Sequence, residues 1–380
     1  MLDIPFTSSP SHSLGIELEL QLIDLLSGDL ADKGIEIISQ YNDERHVKKE
    51  LTLSTIELNS SVHATPFTLF DEINHIARKL AEIAASKNCG LCGGGRHFSS
   101  NWKDQIITPT ERYREVHEHL GFLAKLSCVF GQHIHIGVPS GDDAIYLCHA
   151  LIPYLPHFIA FSASSPYYQS EDTLFSSSRF SALNSFPTFG YIERDVRTWR
   201  QFVDYVDECV NLGVIHCLKD IYWEIRPKPE FGTVEIRVCD TPLTLFHAAM
   251  LGGYAQVLVK FLLKNRAPIT QANDAVTYAN TFHAQRYGFD GDYIDSGQRQ
   301  SLKLKQHIKK TLEQLRDCAD ANENKILNYM TSYLEQGIND AGQLRRMAQR
   351  GMTESSIIRT MMNLLAPAEH ITHKTPQTIK

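Results

Sequence analysis

The sequence predicts an α+β fold: a mainly antiparallel sheet with helices packed on one face, and a helical region at the C-terminal end. Three observations predict it. Five short segments alternate apolar and polar residues with period two, stretches of helical periodicity lie between them, and after about Asp290 only charged, amphipathic helical patterns remain. The strand candidates are residues 14–23, 53–58, 132–136, 222–226 and 233–239. The helical candidates among them are 68–87, 110–126, 142–164, 196–211 and 243–263. Glu230-Phe231-Gly232 joins the last two strands closely enough for a hairpin, and the uneven spacing of the strands favours antiparallel pairing over a doubly wound parallel sheet. Residues 1–290 therefore read as one sheet-and-helix domain. Residues 291–380, with helical patterns at 298–317, 322–337, 342–349 and 355–365, read as a helical region packed on it. The polar tail 372–380 is expected to fray.

Composition excludes several classes of protein. The 380 residues carry a net charge of -7, with 43% hydrophobic and 21% charged residues, so there is no basic field to hold nucleic acid or an anionic membrane. The N-terminal residues show no basic segment followed by an apolar one, and a cytoplasmic protein is expected. The longest apolar run, 144–163, is interrupted by His149, Pro153, Pro156 and His157, which suits a buried helix and not a membrane span. The eight cysteines show no spaced framework and read as reduced thiols. Cys89-Gly-Leu-Cys92 is a lone CxxC ahead of three glycines, and a turn is the expectation there.

The chemistry lies on the polar side of the alternating segments. Residues two apart on a strand point the same way. Glu17 and Glu19 therefore stand together, opposite Leu14, Ile16, Leu18, Leu20 and Leu22; two like charges so close repel unless a cation sits between them. The same geometry pairs Thr55 with Glu57 and Asn59, His133 with His135, Glu224 with Arg226, and Glu235 with Arg237. A single such pair is an ordinary solvated sheet face. Five rows rich in Glu, His and Arg but free of Lys suit a hard cation and phosphate instead. Carboxylates with imidazole and no thiolate favour Mg²⁺ or Mn²⁺ over zinc. No HExxH, GxxxxGK[ST] or GxGxxG pattern occurs.

These residues also carry a resemblance. Gly15-Ile16-Glu17-Leu18-Glu19, Ser54-Thr55-Ile56-Glu57-Leu58, Gly131-Gln132-His133-Ile134-His135-Ile136-Gly137, Ser178-Arg179, Trp223-Glu224-Ile225-Arg226-Pro227 and Val234-Glu235-Ile236-Arg237 follow one another as in glutamate–cysteine ligase family 2, the bacterial carboxylate–amine ligases. The likeness covers roughly residues 14 to 290. It implies a glutamine-synthetase-like fold, a curved antiparallel sheet whose concave polar face holds ATP and metal ions, with that site inside residues 1–290. It implies metal ligands at Glu17, Glu19, Glu57, His133 and Glu235, and cations facing phosphate at Arg226 and Arg237. It further implies substrate or nucleotide contacts at Arg179, His135 and Thr55. The chain departs from the family at Gln21, where a third acid is common, and at Glu230-Phe231-Gly232, where the usual loop differs.

The activity so implied is ATP-dependent joining of a carboxylate to an amine through an acyl phosphate, with glutamate and cysteine as the default pair and small molecules as the partners. Two other readings stand beside it: a metal-dependent hydrolase that uses the Glu/His face to activate water, and a non-catalytic binding protein on the same scaffold. A homodimer is the common assembly for an enzyme of this size.

Overall fold

The computed structural model describes residues 3–269 and 274–366, so the tail 372–380 lies outside the described residues. A seven-stranded sheet carries the site. Its strands are β1 (Leu14–Asp24), β2 (Val47–Lys49), β3 (Thr55–Asn59), β4 (Cys89–Cys92) and β5 (Gly131–Gly137), followed by a small separate hairpin, β6 (Tyr167–Tyr168) and β7 (Glu171–Asp172). The sheet is completed by β8 (Ile225–Lys228) and β9 (Thr233–Asp240). The order across it is β2-β3-β1-β5-β9-β8, with β4 beside the C-terminal half of β1, and every pairing is antiparallel. A second small hairpin, β10 (Asp292–Asp295) and β11 (Gln300–Lys303), precedes the C-terminal helices.

Alternation explains the layering. Leu14, Ile16, Leu18, Leu20 and Leu22 are all buried on one side of β1, together with Ile56, Leu58, Ile134, Ile136, Val234 and Ile236 from its neighbours. Each such side chain contributes about 1.5–3 kcal/mol when fully buried. The helices Pro66–Ala85, Leu155–Ser162 and Leu245–Lys264 cover that face and leave the polar rows on the other. Leu245–Lys264 is long and apolar enough to cross a membrane by composition, but 83% of its apolar stretch is buried inside the protein, as befits a core helix. Among the C-terminal helices, Leu304–Arg316 and Ala321–Gln336 join the main core through Leu312, Leu327 and Met330. Asp340–Gln349 and Glu354–Leu365 build a second, smaller core with Ile23 and Cys92.

Several expected elements differ. The CxxC is not a turn but strand β4, pairing Cys92 with Gln21 and Cys89 with Asp24. Its glycine serves packing: a Cβ on Gly90 would stand 2.3 Å from Met362 Sδ of the covering helix. The strand expected at 222–226 begins at Ile225, because the preceding segment bonds elsewhere, with Glu224 N–H donating to the Gly190 carbonyl at 2.8 Å. Pro227, which has no N–H, is tolerated in β8 because that strand is an edge. The stretch 110–126 is two helices, Glu111–Leu120 and Phe122–Leu126, parted by Gly121 at φ +57. The stretch 142–164 breaks at its prolines into the helices Gly141–Ala150 and Leu155–Ser162, with a bend of 45° between Gly141–Ala150 and the segment Ile152–Ser162. The helix expected from 298 starts at Leu304, its first residues belonging to β11. Strand β2 and the helices Gly34–Tyr41 and Asp274–Tyr287 were not anticipated.

Candidate active site

The strand register assembles the site. Glu19 lies opposite Glu57, Glu17 opposite His133, His135 opposite Glu235, and Glu235 opposite Arg226. Residues more than 200 positions apart therefore form one polar floor beneath a cavity of about 620 Å³. A register irregularity between Gln132 and Ile134 sets His133 at a bulge in β5, where Arg237 Nη1 comes to 3.5 Å from its Nδ1.

Three of the expected ligands converge. Glu17 Oε2 is 2.9 Å from His133 Nδ1, which is 3.7 Å from Glu235 Oε1. One donor atom from each residue lies within 4.8 Å of the others. That is only slightly wider than the roughly 4.2 Å across an octahedral Mg²⁺ ion. Burial and the Arg237 charge hold His133 down to about 4, so it stays the neutral imidazole that a metal requires. Two carboxylates and a neutral imidazole fit a hard divalent cation. Burial alone would raise Glu17, but His135 and His133 override it and hold the carboxyl well below its usual range.

Glu235 joins this cluster to the arginines. It is 1% exposed, accepts Arg226 Nε at 2.6 Å and also bonds Arg237 Nη1. These two guanidinium charges outweigh its burial and keep it ionised. Arg226 is further tied to the Ile221 carbonyl at 2.7 Å. His135 donates or accepts at Thr233 Oγ1 (3.1 Å) and brings its other nitrogen to 3.4 Å from Glu17.

The other expected residues stand around this centre. Glu19 accepts the Gly131 N–H at 2.5 Å and lies 3.9 Å from His133; burial, opposed by Arg179, pushes its carboxyl up to about 7. Glu57 accepts from Asn59 at 2.7 Å and is raised by burial and by the charge of Glu17. Thr55 lines the cavity with its hydroxyl 2.8 Å from that of Thr52. Arg179 is buried at the cavity wall and spends Nη2 on the carbonyls of Arg237 and Cys239, at 2.6 and 3.0 Å, so it braces β9. Asp240, at the end of β9, does not cap the helix that follows, which Thr244 caps. Asp240 instead accepts from Ser165, Ser177 and the Ser164 N–H and faces Arg179 at 3.4 Å.

Sequence reasoning missed Glu50. It shares a hydrogen bond with Glu57, and burial, with the charges of Glu57 and Glu19 adding to it, raises its carboxyl well above the usual range. Lys48 stands 3.6 Å from Glu57, which puts a lysine beside rows that seemed free of it. Lys48 lies on β2, a strand of three residues too short for alternation to show, and Glu50 comes directly after it.

The Gln21 departure has a physical reason. Its amide donates to the carbonyls of Gly93 and Gly94, at 2.7 and 3.0 Å, and is 1% exposed. A carboxylate there has no proton to give. Gln21→Glu is expected to lower stability by about 3 kcal/mol, read as a shifted urea midpoint with unchanged slope. An unshifted midpoint would show that the glycine loop does not depend on this amide.

The model of glutamate–cysteine ligase family 2 matches residues 13–361. A Bordetella avium protein provisionally named glutamate–cysteine ligase 2 is 42% identical, covering 100% of this chain and 95% of its own length. A Janthinobacterium protein of the same provisional name is 40% identical over 94% of this chain and 97% of its own. Among solved structures, a Francisella tularensis glutamate–cysteine ligase in complex with AMP superposes with a TM-score of 0.71 at 12% identity, covering 94% of this chain and 90% of its own. A Pasteurella multocida bifunctional glutathione synthetase superposes at 0.64 and 14% identity, covering 92% of this chain and 51% of its own. At such identities these two share the fold. The family match over nearly the whole length decides the matter: the chain belongs to glutamate–cysteine ligase family 2.

Proposed function

We propose that this protein is an ATP-dependent carboxylate–amine ligase that activates a carboxyl group as an acyl phosphate and passes it to an amine, with glutamate and cysteine as the default pair. The observation that carries the reading is the sharing of Glu235 between two arginines and the Glu17–His133 pair on the floor of one cavity. Phosphoryl transfer needs little covalent help from a protein; it needs charge stabilisation and alignment. A bound Mg²⁺ or Mn²⁺, held by Glu17, His133 and Glu235 with Glu19 and Glu57 alongside, would neutralise phosphate charge there. Arg226 and Arg237 face the transferring oxygens, with Glu235 holding both forks in place. Thr55 lines the substrate space, His135 stands 3.4 Å from Glu17 beside it, and Arg179 positions the strand that bears Arg237.

The reading brings with it a cytoplasmic setting and a division into the ATP- and metal-binding part, 1–290, and the helical part, 291–380. The eight unpaired cysteines agree with a reducing compartment. Incubation with ATP, Mg²⁺, glutamate and hydroxylamine is expected to yield a hydroxamate and ADP, and a chelator should stop both. Release of AMP in place of ADP would indicate an adenylate. Turnover of a small ester or amide without ATP would favour the hydrolase.

A further inference from the structure

An acyl phosphate open to solvent is hydrolysed before an amine can reach it, so a ligase of this kind must exclude water. One wall of the cavity is built unlike the rest. The helix Glu111–Leu120 lends Arg112, Tyr113 and Val116 to the lining, yet none of its ten residues is buried. A helix this short is marginal in water unless packing holds it. Here polar ties take that place. Tyr113 donates its hydroxyl to the Lys49 carbonyl at 3.0 Å, and Arg112 Nη2 reaches Asp220 Oδ1 at 2.5 Å. Asp220 is itself fixed, its other oxygen accepting the His216 and Cys217 N–H groups at 2.8 and 3.1 Å. Lys49 lies on β2 and Asp220 just before β8, the two outer strands of the sheet. The helix is thus strung between opposite edges of the cavity floor, and its far end turns on Gly121.

We propose that Arg112 is a positioning residue of the reaction: its link to Asp220 latches the Glu111–Leu120 helix across the cavity, opening to admit substrates and closing to keep water from the activated carboxyl. Arg112 acts through the helix and touches none of the reacting atoms. Amine attack on the acyl carbon breaks its bond to the phosphate oxygen and releases phosphate with the amide. Water attacking the same carbon releases phosphate and returns the carboxylate, so ATP is consumed without product. The inference rests on the ligase reading, but its first test does not.

In the full-length protein without substrates, Arg112→Gln should exchange the amides of residues 111–120 about tenfold faster, since a partly exposed ion pair holds a locally unstable element. Exchange in β1, β5 and β9 and the melting temperature should stay as they are, and Arg112→Lys should fall between. With ATP, Mg²⁺, glutamate and cysteine, the glutamine variant should release more than one phosphate per amide where the native enzyme releases one. Unchanged exchange at 111–120, or faster exchange that spreads into β9, would overturn the latch. Faster local exchange with the phosphate-to-amide ratio still at one would overturn its role against water. A native enzyme that shows no ATP turnover would refute the ligase reading while leaving the exchange result to stand.

Discussion

Glu235→Gln is expected to abolish amide formation and also to cost the fold about 3–5 kcal/mol, the range for removing one partner of a buried ion pair. Two effects act together. The carboxylate is 1% exposed and lies between Arg226 and Arg237, so its loss leaves two guanidinium groups facing each other with little solvent to screen them. It is also the third corner of the Glu17–His133 cluster, so the variant should lose divalent-ion dependence along with turnover. Urea denaturation and ATP turnover on one preparation separate the parts. A variant of native stability would mean that the arginines find other partners. Retained turnover would remove Glu235 from the site.

Arg237→Lys should act almost wholly on rate. Lysine keeps a charge for Glu235 but loses the planar fork able to engage two phosphate oxygens at once. Charge grows on those oxygens as the phosphoryl group moves, so kcat should fall about 10²–10³-fold while KM for ATP changes by only a few-fold. The side chain is 19% exposed, so the shorter ammonium keeps solvent access and still reaches towards Glu235, and the melting temperature should barely move. A lowered melting temperature with kcat intact would make Arg237 a strut of β9 and no part of the chemistry.

How much of this was readable from sequence depended on strand length. β1, β5 and β9 are 11, 7 and 8 residues long, enough for period-two alternation to emerge and to name Glu17, Glu19, His133, His135, Glu235 and Arg237 together. Their neighbours in space, Glu50 and Lys48, sit on or beside a strand of three residues and left no such trace. Periodicity also runs through breaks it cannot see. Gly121 and the prolines around Tyr154 interrupt stretches whose apolar spacing stays helical on both sides. Gly90 was misread for the opposite reason, since glycine marks turns and close packing alike and only the covering Met362 distinguishes them. The direction of Arg179 was unreadable because its hydrogen-bond partners are backbone carbonyls, which every residue possesses, with the Asp240 carboxylate also facing it.

The two ends of the sheet bear on assembly. A bare strand edge is a template for another chain, and extended edges invite indefinite stacking. At one end Pro227 removes a donor from β8, so an approaching strand would meet a gap in the ladder. At the other, β2 is three residues long and two of them are lysines, whose like charges would repel the same edge of a second copy. Both terminal strands therefore resist edge-to-edge aggregation.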